Sequence, residues 1–146
     1  MQYMLNLLSL LIGLNAWALG PIPNGEYVGT TRCAPNMSDE SKPQSTIIIS
    51  DTTIKSNSQV NEFVIEPSGF FRMNAIEGVT GGGLGHFTQD GLHYEALFHF
   101  PDEDAMISIQ GEDTFRYSEG KLYHESTVSL GKDGKLQCHG EFLKVR

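Results

Sequence analysis

The side chains with the clearest chemical potential are three on one stretch: His93, Glu95 and His99. At i, i+2 spacing on a strand, His93 and Glu95 stand on one face about 6.6 Å apart, near enough to be two metal ligands. No third ligand is specified by the spacing, and surface or lumen-lining polar residues explain the pattern equally well, so no metal is expected. Gly78, Gly81, Gly82, Gly83 and Gly85 precede His86, but no Gly-Lys-Ser/Thr follows, which removes the phosphate-cradling loop of nucleotide enzymes. They read instead as an exposed recognition loop or a wide connection. The chain has no Gly-x-Ser-x-Gly, and its two cysteines have a better use than nucleophilic attack. No catalytic residue is therefore expected, and the protein reads as a non-enzyme without a cofactor.

The cysteines are Cys33 and Cys138. In an oxidising compartment, two thiols at opposite ends of a domain are most simply one disulfide. It would close a loop of about 106 residues, for which chain entropy gives roughly 4–5 kcal/mol. Two buried free thiols are the alternative, and a metal site using Cys138 and His139 is a third reading that lacks a Cys-x-x-Cys. The oxidising destination is argued from the N-terminus. Met1 to Gly20 carries no Lys, Arg, Asp or Glu and is rich in leucine. Ala16-Trp17-Ala18 places small residues where a signal peptidase needs them. Residues 1–18 are read as a cleavable signal peptide, with a membrane anchor as the alternative, and residues 19–146 as a single mature domain. Its destination is periplasmic or secreted, with no membrane association after cleavage.

The 146 residues carry 18 acidic and 10 basic side chains, a formal net charge of −8. No Lys or Arg lies between Arg72 and Arg116, a window holding Glu77, Asp90, Glu95, Asp102, Glu103, Asp104, Glu112 and Asp113. Phosphate-rich partners need a positive footprint, so nucleic acid is excluded. A basic protein or a cation is compatible with the window, as is an acidic face that only solubilises.

The elements that would position these groups are strands. After Gly20 the hydrophobic period is 2, and no stretch has helical period. Leu92, Tyr94, Ala96, Phe98 and Phe100 lie on one face, opposite His93, Glu95, Leu97 and His99. Ala105, Ile107 and Ile109 form a second apolar face, and Leu122, His124, Ser126, Val128 and Leu130 share a third, with Gly111-Glu112-Asp113 as a bulge or turn between. Turn residues at Pro67-Ser68-Gly69, Gln89-Asp90-Gly91, Pro101 to Asp104, Ser118 to Lys121 and Lys132 to Lys135 recur every 9 to 14 residues or so, the rhythm of an all-β sandwich or barrel. Consecutive hairpins predict an antiparallel up-and-down barrel of about eight strands, with a two-sheet β-sandwich as the alternative. Closure would place the first strand beside the last and bring Cys33 to Cys138.

Asn24-Gly25-Glu26-Tyr27, opening the first strand of an exported meander, resembles the Gly-x-Trp start of the lipocalins and the wider calycin group, with Tyr27 in place of Trp. The resemblance implies a barrel enclosing a cavity for a small apolar molecule. Tyr27, Tyr94, Phe98, Ile107 and Val128 are the candidate lining residues. The alternative function is a protein-binding module or inhibitor of a basic hydrolase, using Gly81, Gly82 and Gly83 with Asp102, Glu103 and Asp104. A monomer is expected in either case.

Overall fold

The computed structural model describes residues 19–34, 44–56, 59–66, 68, 70–74, 79–101, 106–129 and 134–146. They form ten antiparallel strands: β1 Gly25–Ala34, β2 Ser45–Ser50, β3 Thr53–Ser56, β4 Gln59–Ile65, β5 Phe70–Asn74, β6 Thr80–Phe87, β7 Gly91–Pro101, β8 Met106–Ser118, β9 Lys121–Ser129 and β10 Lys135–Lys144. Each pairs with the next, and β1 also pairs with β10, closing the sheet into a barrel. The sandwich alternative is thereby excluded. Closure satisfies the backbone donors and acceptors that an open edge would leave unpaired. Residues 1–18, read above as a signal peptide, and the segment 35–43 lie outside the described residues.

Two strands exceed the expected eight. β3 is only four residues long, too short to show a period. β6 contains Gly81, Gly82, Gly83 and Gly85, so the predicted flexible loop is corrected to a strand paired on both sides. Its neighbours approach closely: a Cβ built on Gly85 would stand 2.3 Å from the His93 carbonyl oxygen and 2.4 Å from the Phe71 ring. Glycine is required there by contact, not by freedom of movement. Gly111-Glu112-Asp113 is likewise neither turn nor bulge, because β8 runs through it in unbroken register with β7 and β9.

The hairpin turns follow their residue types. Ser118 and Lys121 are paired, and Glu119 and Gly120 between them have φ of 52° and 80°, the signature of a two-residue type I′ turn. Asp51, at φ 41°, turns β2 into β3 while its N–H donates to the Asn24 side chain at 3.0 Å.

Alternation sends Tyr27, Ile49, Phe63, Phe71, Leu92 and Phe142 into the barrel, all buried. Arg32, Arg72, Glu95, Glu112, Arg116 and Glu141 face outward and are exposed. One end of the barrel is sealed. Leu19 and Ile22 are fully buried there in a tight turn closed by the Ile22 N–H to the Leu19 carbonyl, and the Tyr27 hydroxyl donates to the Pro23 carbonyl at 2.6 Å. Toward the other end, where β1 and β2, β5 and β6, β7 and β8, and β9 and β10 have their connected ends, inward-facing residues are less buried. Ile107, on the face of β8 that carries Phe115, is 47% exposed. The connections at this end lie largely outside the described residues, and it is called the mouth below.

The predicted cysteine pairing is present. Cys33 and Cys138 are register partners on β1 and β10 and form a disulfide, the chemistry of an oxidising location.

Candidate functional site

Half-way along the interior, the apolar packing is interrupted by a hydrogen-bonded polar group built from three adjacent strands. Tyr94 of β7 and Asp113 of β8 are register partners. His124 of β9 is the partner of Phe115, one interior position closer to the sealed end, and stacks on its ring with centroids 4.2 Å apart and planes 9° apart. From there its Nε2 reaches Oδ1 of Asp113 at 2.6 Å. Tyr94 lies across from that carboxylate, and its pKa is raised well above the usual tyrosine value, chiefly by burial and further by Asp113, so its hydroxyl keeps its proton. With the carboxylate as acceptor, the proton of the His124–Asp113 contact sits on Nε2, which leaves Nδ1 to accept from a ligand, or to donate when the ring is charged.

Above this group, toward the mouth, three consecutive strands present almost nothing to the interior. Gly83, Ala96 and Gly111 are register partners on β6, β7 and β8, and between them they project a single methyl group inward. At Gly111 there is room for one more carbon: an added Cβ would make ordinary contacts, the nearest being Asp113 Oδ2 at 3.8 Å, Thr127 O at 3.8 Å and Val128 Cγ2 at 3.9 Å. The next inward positions are apolar, with Val128 opposite Gly111 and Phe98 opposite Ile109. On the mouth side, the polar pair is thus followed by small and then apolar residues.

Four of the predicted lining residues, Tyr94, Phe98, Ile107 and Val128, share this half of the barrel. The structure places Tyr27 elsewhere, at the sealed end, where burial and then the neighbouring Tyr117 push its pKa up to about 12. Of the alternative protein-binding set, Gly81, Gly82 and Gly83 lie within β6, and Asp102, Glu103 and Asp104 lie outside the described residues. Glu112 and Asp113 do not share a face, because alternation turns Glu112 outward and Asp113 into the barrel. His93, Glu95 and His99 share the outer face as predicted but do not converge: His93 Nδ1 bonds Thr114 at 2.9 Å and His99 Nδ1 bonds Ser108 at 2.8 Å. Among the described residues, no group of three His, Cys, Asp or Glu side chains is placed to hold a metal ion.

Comparison with protein-family models, curated proteins and solved structures finds no match.

The residues that sequence reasoning missed are Asp113 and His124 as a pair. The signal was available: Asp113 has the parity of Phe115 and Ile109, so an alternating strand must carry a carboxylate on its apolar face. A buried carboxylate needs hydrogen-bonding partners. The neighbouring strand carries His124 on the Leu122 and Val128 face.

Outside the barrel, a groove of about 520 Å³ lies over β5, β6 and β7, lined by Arg72, Asn74, Gly82, Leu84, Glu95 and Leu97. It is shallow and lies on the outer wall, separate from the interior group.

Proposed function

We propose that this protein is an exported, monomeric binding barrel. It takes a small amphipathic molecule through the mouth, with the ligand's polar end on Asp113 and His124 and its apolar body among Phe98, Val128 and Ile107. The observation that carries the reading is the hydrogen-bonded His124–Asp113 pair, with Tyr94 across from Asp113, set beside Gly83, Ala96 and Gly111. A purely structural core would place larger apolar side chains over such a group, since filling space contributes stability and empty space costs about 24 cal/mol per Å³. Small sites with a few placed polar groups on apolar walls are the general form of ligand pockets. The reading keeps the lipocalin-like architecture suggested by Gly25-Glu26-Tyr27, but it exchanges a wholly apolar ligand for one with a polar head. The reading is one of binding, with no catalytic step. The charged exterior and apolar interior reverse the pattern of a membrane-spanning barrel, in keeping with a protein that leaves the membrane after cleavage behind Ala18.

Fluorescence titration with N-phenyl-1-naphthylamine, an apolar amine, tests the reading. The expected result is saturable enhancement at one probe per chain, abolished by Gly111→Leu, which fills the space above Asp113. Native mass spectrometry of protein from its source should show a co-purifying small molecule. Absence of saturable binding, or binding unaffected by Gly111→Leu, overturns the proposal.

A further inference from the structure

The outer wall carries a second constellation, unrelated to the barrel interior. Phe70, His86, His93 and Thr114 are successive register partners across β5, β6, β7 and β8, so their side chains stand in one row on the outside. The rings of His86 and His93 face one another with centroids 5.5 Å apart and planes at 51°. Phe70 stands beside the outer flank of His86, centroid to centroid 6.4 Å and edge-on. His93 is held in place by Thr114, whose Oγ1 lies 2.9 Å from Nδ1. Its other nitrogen, Nε2, points toward Glu112, with Oε1 3.6 Å away.

We propose that His86 and His93 form a bidentate site for a divalent transition-metal ion, with Glu112 supplying a nearby negative charge and water completing the coordination shell. Imidazole suits the later first-row metals, and for a given donor set Cu2+ binds tightest, with Zn2+ weaker.

The geometry agrees with this use. A metal bonded to one nitrogen of each ring at about 2.0–2.1 Å lies roughly 3.2 Å from each ring centroid. Two such rings have centroids about 4.5 Å apart at a right angle and about 5.2 Å apart at the tetrahedral angle. The observed 5.5 Å is slightly longer than either, a difference that rotation of the exposed His86 side chain closes while Thr114 holds His93. Cross-strand register supplies the pre-organisation that spacing along one strand cannot, which is why His93 with Glu95 fails as a pair where His93 with His86 succeeds. Thr114 acts as an outer-shell partner: a hydrogen bond at Nδ1 fixes the ring and leaves the Nε2 lone pair for the metal.

The test is isothermal titration of the oxidised, tag-free protein with Cu2+ in the presence of glycine as a weak competitor, alongside electron paramagnetic resonance. The expected result is one Cu2+ per chain with nitrogen hyperfine structure. His86→Gln and His93→Gln should each weaken binding at least tenfold, and His139→Gln, elsewhere on the outer wall, should leave it unchanged. Thr114→Val, which keeps both imidazoles, should weaken binding several-fold through the orientation of His93. Far-ultraviolet circular dichroism identical to wild type establishes that the variants are folded. Binding that survives in His86→Gln or His93→Gln, or that is absent in wild type at millimolar Cu2+, overturns the proposal.

Discussion

His124 reaches Asp113 diagonally: its Nε2 is 2.6 Å from Asp113 Oδ1, although the residue directly across from Asp113 is Ser126. The diagonal is made by stacking. Phe115 lies directly across from His124, and its ring supports the imidazole from below in a plane 9° from its own. An aromatic of the core thus aims a polar side chain at a carboxylate, and neither polar group is fully buried, with side chains 20% and 17% exposed.

Removing the charge while keeping the shape should expose the value of that contact. Asp113→Asn leaves Tyr94 and His124 with a weaker neutral partner, and the expected loss is about 1.5–3 kcal/mol, the range for hydrogen bonds to charged groups. Urea unfolding followed by circular dichroism measures it. An unchanged midpoint would show that the group is solvated rather than bonded.

Alkaline pH should unfold the protein through two tyrosines. The Tyr27 pKa is raised to about 12 and that of Tyr94 well above its usual 10.0, burial being the larger cause for both. The unfolded chain releases these protons near pH 10, and the folded chain holds them. Their contribution to stability is complete below pH 10 and is lost as pH rises from 10 through 12. Tyr27→Phe, which also gives up the bond to Pro23, should lower stability at pH 7 yet flatten its decline above pH 10, read by thermal melts across that range.

The glycines of β6 and β8 should respond in opposite ways to one added carbon. Gly85→Ala places a methyl against the His93 carbonyl and the Phe71 ring, and overpacking of this kind costs about 1–3 kcal/mol. Gly111→Ala meets only ordinary contacts and should be neutral or slightly stabilising. Equal, small effects at both positions would return the glycine-rich segment to the status of a loop.

At the sealed end, Leu19→Ala should cost about 2–5 kcal/mol, as for other fully buried leucines, while Leu84→Ala on the outer wall should stay within roughly 0.5 kcal/mol. Equilibrium denaturation of the two variants side by side decides whether the turn from Leu19 to Ile22 is part of the core.

Reduction should matter even though the two strands are also hydrogen-bonded. Cys33 and Cys138 are 105 residues apart, and opening that loop in the unfolded chain is expected to lower stability by about 2–5 kcal/mol. Unfolding midpoints with and without reductant, and a Cys33→Ser, Cys138→Ser double variant, give the figure independently.

The barrel was legible because alternation and turn chemistry are local. Leu92 to Phe100 reads as a strand without any partner, and Glu119-Gly120 reads as a hairpin from two residues. What escaped was non-local. β6 is held in the sheet by neighbours on both sides despite four glycines that disfavour a strand on their own. His86 gained significance only when pairing set it across from His93. Asp113 looked like one more acid in an acidic window, and only its parity with Phe115 shows that it points inward. The site is thus a property of register, which single-strand periodicity does not encode.

The seam between β1 and β10 also has a mechanical consequence. Tyr27 pairs with Lys144 at the sealed end and Cys33 with Cys138 near the mouth, with five register pairs between them. Tension applied between Gly25 and Lys144 loads that seam in peeling geometry, one hydrogen-bonded pair after another, until it reaches the covalent link. The fold should therefore yield in two stages: a low-force unzipping of about one strand's length, then an arrest in which the remaining strands between the two cysteines carry no load at all.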